Sequence, residues 1–341
     1  MSPRSTKWPL NVLCSSVPPR LRLALLALTG LALTALMQVV FDDYLLMLAA
    51  FVGIFIILAV SLNFTNGFAG LFSLGHPAFM AVGGYTSALL TFNPEMKPLF
   101  LPELPAWLMT LHMPFLPSLL LGGVMAAVMA LVVGVPVLRL RGHYLAVATM
   151  GFLIIVQVLL TNMESYTRGP LGLNGLDELT NLWWVYAWVV LTVYVCWKIK
   201  FSSFGRMLLS VRENELAASC LGLNLFAARL SALVVGAFFA GVAGGLWGHL
   251  VTALTPGSFS LALAFSIVVM VVVGGTGSIF GSVVGAILFT CITEVFRPLE
   301  ENYSIYGVGE ILMALILILI LVYRPQGLFG TREPRWLSSN N

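Results

Sequence analysis

The side chains able to do acid–base, metal or nucleophilic chemistry are few and scattered through this 341-residue chain. His76, His112, His143 and His249 stand apart, with no His-Glu-x-x-His pair to hold zinc and no Gly-x-Ser-x-Gly turn to present a nucleophile. Cys14, Cys196, Cys220 and Cys291 form no Cys-x-x-Cys pair, so neither a zinc site nor a disulfide framework is indicated. Gly275-Thr276-Gly277 and the later Gly281 invite a nucleotide-loop reading, but no Lys-Ser or Lys-Thr follows and the segment joins two apolar runs instead of a strand and a helix. A tight turn between membrane helices is expected there. His76, between Gly75 and Pro77, marks either a hinge or a local turn at a helix start. The expectation is a protein that is not an enzyme, with no catalytic residue, metal ligand set or cofactor.

One polar stretch, Ser202 to Arg229, interrupts apolar sequence on both sides and holds much of the charge. Ser210 and Glu213 have the Ser-x-x-Glu spacing of a capping box, in which hydroxyl and carboxylate each satisfy an orphan backbone N–H. Gly222 followed by Leu223 supplies the left-handed residue and apolar contact that close a helix. The spacing therefore predicts one helix over Val211 to Leu221. About three turns are marginal alone in water, so this helix must rest on the membrane domain or on a partner.

The elements that position this stretch follow from composition. With 59% hydrophobic residues, 9% charged residues and a mean hydropathy of +0.98, against roughly 25% charged in soluble domains, the chain is an all-α polytopic membrane bundle forming a single domain over 1–341. Apolar runs near 20 residues place about ten spans, at 21–41, 44–63, 76–92, 116–138, 144–162, 182–199, 230–250, 259–274, 278–296 and 309–323. The third and eighth are short enough to be broken or re-entrant. The first is too long for a signal-peptide core and is expected to be retained. An inverted repeat relating spans 2–5 to 7–10 finds no convincing internal sequence match.

Charge supplies the orientation. Arg4, Lys7, Arg20 and Arg22, then Arg139 and Arg141, then Lys198, Lys200, Arg206, Arg212 and Arg229, then Arg324, Arg332 and Arg335 all fall on one side of a ten-span count. The opposite loops are net acidic. Basic loops are cytoplasmic, which puts both termini and residues 202–229 inside. The net charge of +3 gives no reason to expect a nucleic-acid partner. Two long outer loops, 93–115 with a short helix over Ala106 to His112 and the Gly-rich 163–181, either face an external partner or merely connect.

Gly236, Ala240, Gly244 and Gly248 recur every four residues, as do Gly277, Gly281 and Gly285, a spacing that lets helix backbones touch. Static packing and a sliding contact are both open. The helix interiors are almost free of Asp, Glu, Lys and Arg, the groups that ion-coupled carriers keep despite an insertion cost of about 2.5–3.5 kcal/mol each. The domain therefore either conducts passively or takes its energy from something attached.

Several segments carry a resemblance. Glu215, Ala217, Ala218 and Gly222 resemble the Glu-Ala-Ala-x-x-x-Gly coupling motif of ABC importer permeases, with Leu216 interposed. Gly70 to His76 (Gly-Leu-Phe-Ser-Leu-Gly-His), Arg168 to Gly172, Arg212 to Ala218, Gly274 to Ser278 and Tyr323 to Leu328 are similar to motifs of the branched-chain amino-acid ABC permease family, in that family's order. The resemblance, nearest to the M-type permease, implies a bacterial inner-membrane subunit without ATPase activity of its own. It would pair with a second related permease, two cytoplasmic ATPase subunits and an extracytoplasmic binding protein, within membrane lipid. Branched-chain or similar hydrophobic amino acids are the implied cargo, with urea or short amides as the alternative; an ATP-independent carrier or channel is the rival of another class. Arg212, Glu213, Glu215, Ala217, Ala218 and Gly222 are then the ATPase-coupling residues, and Gly70, Gly75, His76, Gly275, Gly277 and Gly281 the packing or gating residues.

Overall fold

The computed structural model describes residues 42–330 except 141, 304–306 and 325, together with residues 30, 34, 35 and 38. Apart from those four residues, which are helical, the expected first span lies outside the described residues, as do both termini. In chain order the longer helices are α1 (Asp43–Asn63), α2 (His76–Thr91), α3 (Phe115–Val137), α4 (His143–Asn162) and α5 (Leu182–Lys200). The short α6 (Ser203–Glu213) and α7 (Glu215–Cys220) follow, then α8 (Leu225–Val251), α9 (Leu261–Gly274), α10 (Ile279–Tyr303) and α11 (Val308–Tyr323). Among the described residues seven helical stretches are long and apolar enough to cross a membrane, matching expected spans 2 and 4 to 9. The third and tenth spans appear as α2 and α11, of 16 residues each. The expected surface helix in the first outer loop is one turn, Ala106–Thr110. A two-residue antiparallel pairing of β1 (Leu173–Asn174) with β2 (Ala253–Leu254) is the one sheet among the described residues.

Helices α1 and α8 form the centre and run antiparallel. Phe51, early in α1, packs edge-on to Trp247, late in α8, with ring centroids 5.0 Å apart. A methyl group on Gly236, early in α8, would come within 3.0 Å of the carbonyl of Ser61, late in α1. Around this axis the packing repeats in inverted form: α8 lies against α1, α2 and α3, as α1 lies against α8, α9 and α10, while α2 touches α4 as α9 touches α11. The fold thus carries the inverted relation that the residues conceal.

Each half also has a non-helical entry into the bundle. The end of α1 continues as a π-turn, Phe64–Phe68, and the chain then returns through an extended segment, 69–75, before α2 begins. His76 Nε2 meets Ser61 Oγ at 2.8 Å, and Ser61 lies seven residues before Phe68, so α2 starts roughly 10 Å along α1 from its inner end. Backbone at that depth needs partners. Leu71 N–H donates to the Thr65 carbonyl at 3.2 Å, Ser73 N–H to Asn66 Oδ1 at 3.2 Å, and Leu74 N–H to Thr149 Oγ1 at 3.0 Å. On the opposite side residues 252–260 dip in likewise before α9: Tyr85 OH donates to the Leu254 carbonyl at 3.1 Å, and Gln157 Nε2 to that of Pro256 at 3.3 Å.

Glycines set the closeness of this packing. A methyl group on Gly244 of α8 would stand 1.9 Å from the Met80 carbonyl of α2, and one on Gly83 only 2.2 Å from the Cα of Gly241. The second stripe behaves the same way: Gly281 and Gly285 of α10 press on the backbone of Gly274 and Met270 in α9.

Candidate coupling site

The inner stretch is built differently from the expected single helix over Val211 to Leu221. Two helices stand there, α6 and α7, with Asn214 between them in extended conformation (φ −155°, ψ 104°). Ser210 is not a cap. It sits inside α6 and turns its hydroxyl back to the Met207 carbonyl at 2.7 Å. The caps are Ser202, whose Oγ accepts from Gly205 N–H at 3.2 Å, and Asn214, whose Oδ1 accepts from Ala217 N–H at 3.0 Å. Asn214 prevails because its short amide caps the next helix from a conformation that ends the previous one. The C-terminal reading holds: Gly222 takes φ +78°, Leu223 N–H reaches the Ala218 carbonyl at 3.2 Å, and Gly222 N–H that of Ser219 at 2.9 Å. That is the Schellman pairing.

The six predicted coupling residues divide into two sets. Arg212 faces the bundle: its guanidinium donates to the Gly67 carbonyl in the π-turn, and its stem packs on Gly70, where a methyl group would be 3.2 Å from Cγ. Ala218 is buried. Glu213, Glu215, Ala217 and Gly222 are exposed, and Glu215 forms an ion pair with Arg229 at the start of α8. Leu216 and Leu221, at 79% and 77% exposure, stand out between them. Both are bare apolar side chains on an otherwise polar segment. Leu216 is the residue that breaks the motif spacing.

Behind this surface a buried polar node joins the inner ends of the helices. Asn63, at the end of α1, donates from Nδ2 to the Ser278 carbonyl and accepts from Gly277 N–H, both at 2.8 Å. Lys200 Nζ donates to the Gly277 carbonyl at 2.7 Å and lies 5.0 Å from the centre of the Phe68 ring. The turn they grip requires glycine, with φ +120° at Gly275 and +96° at Gly277. The segment after α11 closes it from below: Leu328 and Phe329 N–H donate to the Val273 and Gly274 carbonyls at 3.0 and 3.1 Å. Two of the motif stretches, 274–278 and 323–328, thus meet at one place. Gly281 packs one turn beyond, while Gly70 and Gly75 lie in the extended entry to α2 and His76 opens that helix, with Gly75 against Thr149 and Phe152.

Asn63, Lys200, Asn214, Leu216 and Arg229 were not among the predicted residues. An Asn closing a 20-residue apolar run was the one available signal for Asn63; the exposure of Leu216 has none in sequence.

At the opposite end of the bundle the two long loops, 93–115 and 163–181, are clasped together. Arg168 lies 4.6 Å from the Phe100 ring centre and Ser165 donates to Glu103. Lys97 is fully covered, its ammonium donating to the Leu108 carbonyl at 2.9 Å and to that of Leu111, and burial lowers its pKa from 10.5. Trp107 (68% exposed) and Leu171 (67%) stand out from this clasped surface.

Known proteins resemble this chain over most of its length. The family model described as the branched-chain amino acid transport system / permease component matches residues 44–322. The chain is 32% identical over 316 residues to the high-affinity branched-chain amino acid transport system permease protein LivM of Escherichia coli K12, covering 83% of this chain and 69% of that one. It is 24% identical over 328 residues to the probable branched-chain amino acid transport permease protein LivM of Methanocaldococcus jannaschii, covering 84% and 93%. A shorter match, 31% over 149 residues, reaches the permease protein LivH of Salmonella typhimurium, covering 43% and 45%. No solved structure matches.

Proposed function

This chain belongs to the branched-chain amino acid transport system permease family, and on that premise we propose that it is driven by ATP hydrolysis in partner subunits and moves its cargo inward by alternating access. As a permease subunit of an ABC importer it is a multi-pass inner-membrane protein. The cargo is a branched-chain or similar hydrophobic amino acid, in keeping with the names of its relatives. Two cytoplasmic ATPase subunits serve the permease pair, and this chain's share of the contact is residues 202–229, through Glu213, Glu215, Leu216, Ala217 and Leu221. A second permease related to this one completes the membrane unit, and an external binding protein delivers cargo to the clasped outer loops.

The observation that carries this reading is the bond from Arg212 to Gly67 behind the exposed leucines. A push on α7 passes through α6 to the π-turn, and from the neighbouring Asn63 to the α9–α10 turn. Rigid elements joined by buried hydrogen bonds transmit displacement better than a solvated loop. The test is reconstitution of the chain with the second permease, the ATPases and the binding protein in proteoliposomes. Leucine accumulation that requires ATP on the ATPase side supports the reading. Gradient-driven leucine flux by this chain alone, indifferent to ATP, would establish a carrier or channel instead.

A further inference from the structure

A cavity of about 500 Å³ opens beside the coupling segment, between the extended entry to α2, the α3–α4 turn and the start of α8. Its volume is in the range of small-molecule sites. Leu71, Leu138, Leu140 and Leu145 give it an apolar wall, and Glu215 and Arg229 stand together at its charged end. The ion pair between them is single-pointed, from Arg229 Nη2 to Glu215 Oε1. Arg229 Nε, on the same edge of the guanidinium, is buried without a hydrogen-bond partner. A carboxylate seated side-on would use both nitrogens, the stronger geometry. Glu215, the more exposed of the pair at 46% against 16% for Arg229, can swing to meet an ammonium. A guanidinium that donates to a carboxylate, a carboxylate that accepts from an ammonium and a leucine wall are the complement of a free α-amino acid with an apolar side chain.

We propose that this cavity binds such an amino acid from the cytoplasmic side, replacing the Glu215–Arg229 pair by two ligand pairs and detaching the start of α7 from the start of α8. Accumulated cargo thereby slackens the coupling segment and slows its own import; this regulatory half rests on the coupling function proposed above. The ligand's carboxylate takes Arg229, its ammonium Glu215, and its branched side chain the wall.

The test is equilibrium dialysis of radiolabelled leucine against the assembled permease–ATPase complex without its binding protein, with ATP hydrolysis followed on the same material. Saturable binding is expected, weakened at least tenfold by Arg229→Gln, which removes the charge, and by Leu140→Trp, which fills the cavity. Competition by leucinol, lacking the carboxylate, and by isocaproate, lacking the ammonium, should each be at least tenfold weaker than by leucine. No saturable binding, or binding that both substitutions leave unchanged, overturns the site. Binding that leaves ATP hydrolysis unaltered overturns the regulatory half. Uptake assayed with the binding protein is a separate readout: its absence beside intact, substitution-sensitive binding rejects the transport function and upholds the cavity.

Discussion

The guanidinium of Arg212 donates to the carbonyl of Gly67, 145 residues earlier in the chain. The bond fastens the short helix α6 to the π-turn that ends the central helix α1. A hydrogen bond from a charged donor contributes roughly 1.5–3 kcal/mol, or about 10- to 100-fold in an equilibrium between linked and unlinked states. Arg212→Ala is therefore expected to leave expression and complex assembly intact while lowering leucine uptake at least tenfold. ATP hydrolysis should persist without stimulation by the binding protein. Uptake and ATPase assays on one preparation measure both.

The glycine contacts make a sharper structural prediction. Gly244→Ala puts a methyl group 1.9 Å from the Met80 carbonyl, whereas Gly151 in α4 has nothing within 4 Å of the same methyl position. Overpacking of this kind costs about 1–3 kcal/mol. Gly244→Ala should lower the melting temperature of the purified complex by several degrees and Gly151→Ala should leave it unchanged or slightly raised, as thermal unfolding will show.

Asn214 and Ser210 offer a paired test of the two-helix arrangement. Removing an N-cap costs about 1 kcal/mol, so Asn214→Ala should speed hydrogen exchange across 215–220 roughly fivefold. Ser210→Ala loses only a bond to its own helix at Met207 and should leave exchange there unaltered. The opposite ranking would restore the single helix with a capping box at Ser210 and Glu213.

The outer clasp depends on a covered lysine. Because burial lowers the pKa of Lys97 from 10.5, the folded loop binds fewer protons than the unfolded one between that lowered value and 10.5. Stability of the 93–113 loop therefore rises with pH across this window and is least below it. Hydrogen exchange of that loop, followed as pH is raised toward 10, should slow relative to the intrinsic rate in the wild type. Lys97→Met should abolish that trend.

Much of the fold is legible in the sequence. Apolar runs of membrane length located the helices from 44–63 onward because hydrocarbon thickness admits few other solutions, and Gly222-Leu223 announced its own turn. The break at Asn214 was hidden because the Ser210–Glu213 spacing offers an equally regular alternative whose rejection depends on where α6 packs. The depth of the extended entries at 69–75 and 252–260 was hidden for another reason. The apolar runs break off at 63 and 250, so the interruptions show, but their depth does not, because the hydrogen bonds that make extended backbone tolerable there come from Thr149, Tyr85 and Gln157 on other elements. Arg212 was recognised by its motif, but its partner is a backbone carbonyl, which no residue type reveals.

We propose that residues 202–229 seat an ATPase subunit. It is tested most directly by disulfide trapping in the assembled complex, with Leu216→Cys introduced into a chain whose own cysteines are replaced and single cysteines placed in the ATPase surface. Leu216→Cys should crosslink to an ATPase subunit in good yield, and the same cysteine at Trp107, in the 93–115 loop, should yield none. An intact complex in which no ATPase position crosslinks to Leu216→Cys would contradict it.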